Sequence, residues 1–234
     1  MSTYNKTGLK IVLTYLVIWI AVIIMQMIMA APYVDSSGAI VMTIEEELRL
    51  ISLSNLSLYL TLFVLFIILL RPYLKEQIIN TKNNYHEFIK TTLLGLTFLF
   101  IIVFVGSFIL NMFGVTGGSE NQDVLDSLVT AAAFDKISLV LFTVVFAPFV
   151  EEIVFRRAVF GFFEKISVPL AITVSGLLFG FIHVLSGDYA QLVIYGGLGL
   201  LLATVYYYSK KNIFTVIAIH TLYNLIVIIS MFTI

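Results

Sequence analysis

The chain has 234 residues, 60% hydrophobic and 12% charged, with a mean hydropathy of +1.06, a net charge of −1 and no cysteine. A soluble domain is about one-quarter charged, so this composition excludes an ordinary soluble globule and a disordered chain, and with no basic face it excludes a nucleic-acid binder. The missing cysteines exclude disulfides, thiolate metal sites and a cysteine nucleophile.

Seven apolar runs follow in chain order, at 11–31, 51–70, 91–112, 137–155, 168–185, 189–208 and 213–234. About 20 helical residues cross a hydrocarbon core of roughly 30 Å. None of the runs alternates over short segments as barrel strands do. The expected fold is therefore all-α, a polytopic membrane protein of about seven spans forming one domain over 1–234. Lys6 and Lys10 ahead of the first run resemble the head of a signal peptide. That run is longer than a signal core, and Ala30, Ala31 and Pro32 make a poor cleavage site, so a retained helix is expected. After Gly117 and Gly118, the amphipathic stretch 124–134 reads as an interfacial helix. Gly196, Gly199 and Ala203 have the spacing of a small-residue packing face. Tyr206, Tyr207 and Tyr208 fit an interfacial aromatic belt.

Charge orients the spans. Lys6, Lys10, Arg71, Lys75, Lys82, Lys90, Arg156, Arg157, Lys165, Lys210 and Lys211 fall on one side, which makes eleven of the thirteen basic residues. Arg49 and Lys136 fall on the other, among most of the acids. The positive-inside rule puts the N-terminus in the cytoplasm of a cell, with the C-terminus outside.

A few ionisable residues break the apolar pattern, and each costs roughly 2.5–3.5 kcal/mol at mid-span on translocon scales. Glu151 and Glu152 lie in the fourth run, one turn after Pro148, where the helix should bend. Arg156 follows Glu152 by four residues, in the favourable order for a pair. His183 lies in the fifth run, and His220 with Asn224 one turn later in the seventh. Each has an ordinary reading. The acid pair can be a helix end reaching into the interface, the histidines can be packing contacts, Phe179 reads as packing, and His86 in a polar loop is solvated. Together, polar groups on three helices are satisfied in lipid most cheaply by facing one another. One count opposes this: His183 falls near the end of its run away from the basic side, and His220 near the opposite end.

A carboxylate and a histidine in a dry cavity activate water, and Asn and His donate to an oxyanion. Two histidines and a glutamate are also a zinc set, although no HExxH helix is present. The expectation is no cofactor, with zinc held by glutamate and histidines as the alternative.

Glu151 to Arg156 fit EExxxR, Phe179 to His183 fit FxxxH, and His220 to Asn224 fit HxxxN. In this order, within 136–234, the motifs resemble the CPBP family of intramembrane proteases (CAAX proteases and bacteriocin-processing enzymes, also called the Abi family). The resemblance implies an all-helical fold and a catalytic cavity open towards the cytoplasm. It implies Glu151 as general base with His183 holding the attacking water, His220 and Asn224 stabilising the oxyanion, and Glu152 with Arg156 bracing the site. Arg157 departs from the pattern, in which glycine commonly follows the motif arginine. The implied partners are the lipid bilayer and a membrane-associated peptide or protein substrate, in a bacterial cytoplasmic membrane. The rival reading is a non-catalytic membrane scaffold for a sensor kinase, exporter or immunity partner. A proton-coupled transporter is a third, lowered by the absence of a repeated half.

Overall fold

The structure is a computed structural model that describes residues 3–116 and 119–233; Gly117 and Gly118 lie outside the described residues. Among the described residues the protein is helical, with no strand. The helices are α1 (Thr3–Ala30), α2 (Ile44–Leu69), α3 (Arg71–Asn83), α4 (Tyr85–Met112), α5 (Glu120–Thr130), α6 (Ala133–Phe163), α7 (Val168–Ile182), α8 (Leu192–Tyr208) and α9 (Ile213–Thr233). Six of them, α1, α2, α4, α6, α8 (taken from Tyr189) and α9, are long and apolar enough to cross a membrane. The seventh expected span, α7, has only 15 residues. At 1.5 Å per residue it reaches about 22 Å, short of the roughly 30 Å core.

Local signals set the helix ends. Thr43 and Glu46 form a reciprocal capping box: the Glu46 N–H donates to the Thr43 hydroxyl and the Thr43 N–H donates to the Glu46 carboxylate. Ser119 and Ser167 accept from the first turns of α5 and α7. The basic segment after α2 is not a loop, because Pro72 opens α3 and Leu74 and Gln77 anchor it. Gln77 accepts the Ile213 N–H, one of the orphan donors at the start of α9.

The tightest packing joins α7 to α8. Gly176 and Gly180 face Gly199 and Gly196, and a Cβ on either α7 glycine would meet the α8 backbone. The small-residue spacing read from α8 is thus matched by a second set on α7. Tyr206 departs from the expected aromatic belt. It is buried and meets Phe160 edge to face, because its turn of α8 faces α6 and not the lipid boundary. The amphipathic helix runs Glu120–Thr130, and Phe134 already belongs to α6. α5 is not a helix lying free on a surface, since Leu125, Leu128 and Val129 pack on Leu139 and Phe142 of α6 and Ile228 of α9.

Arg156 and Arg157 are buried. The sequence reading counted both among the charges of one face, but they do not mark a solvated helix end, because α6 continues to Phe163. Setting them aside leaves nine of eleven basic residues on one face, called the basic face below; the opposite face is the acidic face.

Gly180→Val should lower thermal stability by about 1–3 kcal/mol, the usual cost of overpacking where a backbone cannot yield. Thermal unfolding in detergent, with gel filtration to check dispersity, measures it.

Candidate active site

The site begins with the break in α6. Pro148 has no N–H, and the helix around it widens into two π-helical stretches, Leu141–Phe146 and Ile153–Phe160. The Ala147 N–H donates to Phe142, five residues back, and so skips the Thr143 carbonyl. Pro148 supplies no donor to that carbonyl either. Asn224 of α9 takes the place, its Nδ2 donating to the Thr143 oxygen at 2.9 Å. π-bulges of this kind occur often at functional sites.

Glu151 and Glu152 follow on the short α-helical piece Ala147–Glu152, both buried. Glu152 is fully enclosed. One carboxylate oxygen accepts from Arg156 Nε at 2.8 Å, and the other meets His220 Nδ1 at 3.1 Å. Arg156 is 0% exposed, and its Nη1 donates to the hydroxyl (2.9 Å) and carbonyl (3.3 Å) of Ser175 on α7. Its guanidinium lies 5.0 Å from the centre of the Phe179 ring. Ser175 in turn donates to the Phe155 carbonyl. The acid pair is therefore not a helix end reaching into the interface.

Glu151 faces the other way. Its Oε1 accepts from the Tyr59 hydroxyl of α2 at 2.7 Å. Its Oε2 is buried and has no hydrogen-bond partner. That oxygen lies 3.8 Å from His183 Nε2 and 4.0 Å from His220 Nε2. His183 Nδ1 lies 2.8 Å from the Phe179 carbonyl. A carbonyl only accepts, so Nδ1 carries a proton. The same holds for His220 Nδ1 against the Glu152 carboxylate. In the neutral imidazoles, both Nε2 atoms therefore present lone pairs to a carboxylate oxygen. Three acceptors face one another with no donor between them.

His183 and His220 meet despite their opposed positions along the chain. α7 is short, so His183, the residue that caps its C-terminus, stops at the depth of the glutamates. Phe179 packs on both imidazoles, and Tyr195 stacks on His183 at 5.0 Å.

A cavity of about 220 Å³ opens over these groups. Glu151, His183, His220 and Asn224 line it, while Glu152 and Arg156 stand behind the wall. It runs from Glu151 towards α5, where Gln122, Val124 and Leu125 form its far side. The cavity thus lies towards the acidic face.

Tyr59, Thr143 and Ser175 escaped the sequence reading. A tyrosine in an apolar run, a carbonyl freed by Pro148 and a serine one turn before Phe179 are each ordinary alone. Only Pro148 signalled one of them.

Residues 133–226 match the family model described as type II CAAX prenyl endopeptidase Rce1-like. This segment is similar to that family. The family resemblance carried by the three motifs is borne out over that stretch, which contains the whole EExxxR, FxxxH and HxxxN set. Three bacterial relatives are similar to this chain, two of them with peptidase names. A Staphylococcus aureus (strain USA300) protein named membrane-embedded CAAX protease MroQ is 30% identical over 159 residues, 64% of this chain and 61% of that one. A Bacillus subtilis (strain 168) protein, YdiL, named only as a candidate membrane peptidase, is 27% identical over 177 residues, 73% of this chain and 68% of its own. A Mycoplasma capricolum protein with no assigned activity is 38% identical over 118 residues, 48% of this chain and 34% of its own. This chain therefore spans about a third of the length of one curated relative and under two thirds of another. No solved structure matches. With six helices able to span, the protein is a multi-pass bacterial membrane protein. Tyr59 lies outside the Rce1-like segment.

Arg156→Met should destabilise the fold by about 3–5 kcal/mol, because it strands the Glu152 charge in a buried site. Asn224→Leu should cost about 1–3 kcal/mol by orphaning the Thr143 carbonyl. Denaturation curves in detergent measure both.

Proposed function

We propose that this protein is an intramembrane endopeptidase that hydrolyses a peptide bond of a membrane-associated peptide or protein with activated water. One observation carries the reading: the unpartnered Glu151 Oε2 facing two imidazole lone pairs at 3.8 and 4.0 Å. Those separations are too long for direct hydrogen bonds and suit one bridging water. Such a water has two protons to give and a lone pair left to attack. The Rce1-like segment and the names of the relatives point to the same class.

In this reading Glu151 Oε2 is the general base. Tyr59 occupies the other oxygen, so Oε2 alone is left to act. His183, held by the Phe179 carbonyl, accepts the second water hydrogen and aims the lone pair. The hydroxide forms the new C–O bond, and Glu151 returns its proton to the leaving amine as the C–N bond breaks. Asn224 uses one amide hydrogen on Thr143 and keeps one for the oxyanion. His220, its Nδ1 held by Glu152, stands beside Asn224 as the second group at the oxyanion. Glu152 and Arg156 hold that arrangement from behind. The bilayer serves both as solvent for the enzyme and as the route that brings substrate.

Zinc is the alternative cofactor. Both imidazoles have the orientation of metal ligands, each with Nδ1 held by an acceptor. Yet among the described residues no three His, Asp or Glu side chains stand close enough together to hold an ion.

Glu151→Gln should lower cleavage by about 10²–10⁴-fold, the usual contribution of a positioned base. Tyr59→Phe keeps the ring and should cost about tenfold in kcat with KM unchanged, the loss of one hydrogen bond to a charged group. In the Glu151→Gln background Tyr59→Phe should cost nothing more. Comparative proteomics of membranes carrying wild type or Glu151→Gln identifies the substrate as the polypeptide that accumulates uncut. Identical peptide patterns would refute the hydrolase and favour the scaffold. Stoichiometric zinc with chelator-sensitive activity would refute the metal-free mechanism.

A further inference from the structure

We propose that the groove between α2, α3, α6 and α9 holds one anionic glycerophospholipid, its acyl chain in the groove and its phosphate on Arg71 and Lys75.

The groove is separate from the catalytic cavity and has a volume of about 550 Å³. Its floor is apolar: Val144 and Phe149 of α6 are buried beneath it. Its rims are open, since Ile67 of α2, Ile78 of α3 and Val145 of α6 are exposed. Val144 and Val145 belong to the first π-helical stretch, so a chain seated here covers a side of the widened helix that the protein itself leaves bare.

The depth of the groove fits one leaflet. α9 begins at the basic face, directly after Lys210 and Lys211. From Phe214 to Thr221, the part of α9 that lines the groove, it rises about 10 Å. That stays within one half of a roughly 30 Å hydrocarbon core.

Charge marks one end. Arg71 and Lys75, one turn apart on α3, are the charged residues of the lining, and both are exposed. No carboxylate among the described residues pairs with either. Their helix is fixed in place by buried Leu74 and by Gln77, which accepts the Ile213 N–H. Two fixed, unneutralised cations at the basic face, above an apolar groove, complement a phosphate with an acyl chain below it.

The same lining disfavours a polypeptide. A peptide brings backbone N–H and C=O groups that need partners in lipid. Beyond the two cations, the Thr221 hydroxyl is the one side-chain polar group that the groove offers. An acyl chain needs none.

Native mass spectrometry of protein taken from vesicles of equal phosphatidylcholine and phosphatidylglycerol tests this. Wild type should retain one phosphatidylglycerol in preference to phosphatidylcholine. Arg71→Gln with Lys75→Gln should weaken that retention about thirtyfold. Lys82→Gln with Lys90→Gln removes the same charge from exposed positions outside the groove and should leave it unchanged. Val145→Trp and Ile217→Trp fill the groove with the cations intact and should each lower retention. Equal retention of the two lipids by wild type, or equal loss in both cation pairs, would overturn recognition of the headgroup. Full retention by both tryptophan variants would overturn the groove as the seat of the chain. If those variants instead raise the KM for a cleaved substrate while keeping the lipid, the groove belongs to the polypeptide and the proposal fails. Lipid retention is read without any cleavage, so it stands or falls apart from the hydrolase proposal.

Discussion

The buried pair of Glu152 and Arg156 is the interaction on which the rest of this structure depends. Removing two such charges from water costs several kcal/mol each, and their attraction offsets this only when the remaining hydrogen-bonding positions are also filled. Here most are. Arg156 reaches α7 through both polar atoms of Ser175, and Glu152 reaches α9 through His220. The pair thus joins three helices at one depth. It also assigns the proton on His220 Nδ1, and so decides which face that imidazole shows to the cavity.

A second constraint comes from the solvent. In a bilayer every backbone polar group must find a partner inside the protein. Pro148 and the π-helical widening free the Thr143 carbonyl, and Asn224 is the group that satisfies it. The same widening turns Glu151 towards the cavity while Glu152 points away from it. Asn224 therefore has two duties, holding a broken helix to α9 and keeping one amide hydrogen for the site. The short α7 is the matching irregularity. Its early end brings His183 down to the glutamates, at the cost of non-helical backbone within the membrane.

Much of this was legible in the chain. The apolar runs mark the helices because nothing else satisfies a backbone in lipid. Glu151, Glu152, His183 and His220 stood out because ionisable residues are costly there. The sequence reading went astray where burial, and not residue type, decides the meaning. Arg156 and Arg157 were counted with the charges of one face, and Tyr206 looked like part of an interfacial belt, yet all three are buried. Tyr59 carried no signal, because a tyrosine in an apolar run is unremarkable until its hydroxyl is placed 2.7 Å from a carboxylate 92 residues away.

The sequence by itself determined the solvent and the helical class. It also determined the three motifs and the asymmetry of charge across the membrane, for these depend on composition and on local spacing. Only the tertiary structure decided which glutamate meets which histidine and which carboxylate oxygen is left without a partner. It alone showed where the cavity lies relative to the basic face. Those are relations between helices. A 1.5 Å rise per residue places a group along its own helix, but not against a neighbour whose length, tilt and breaks are set by packing.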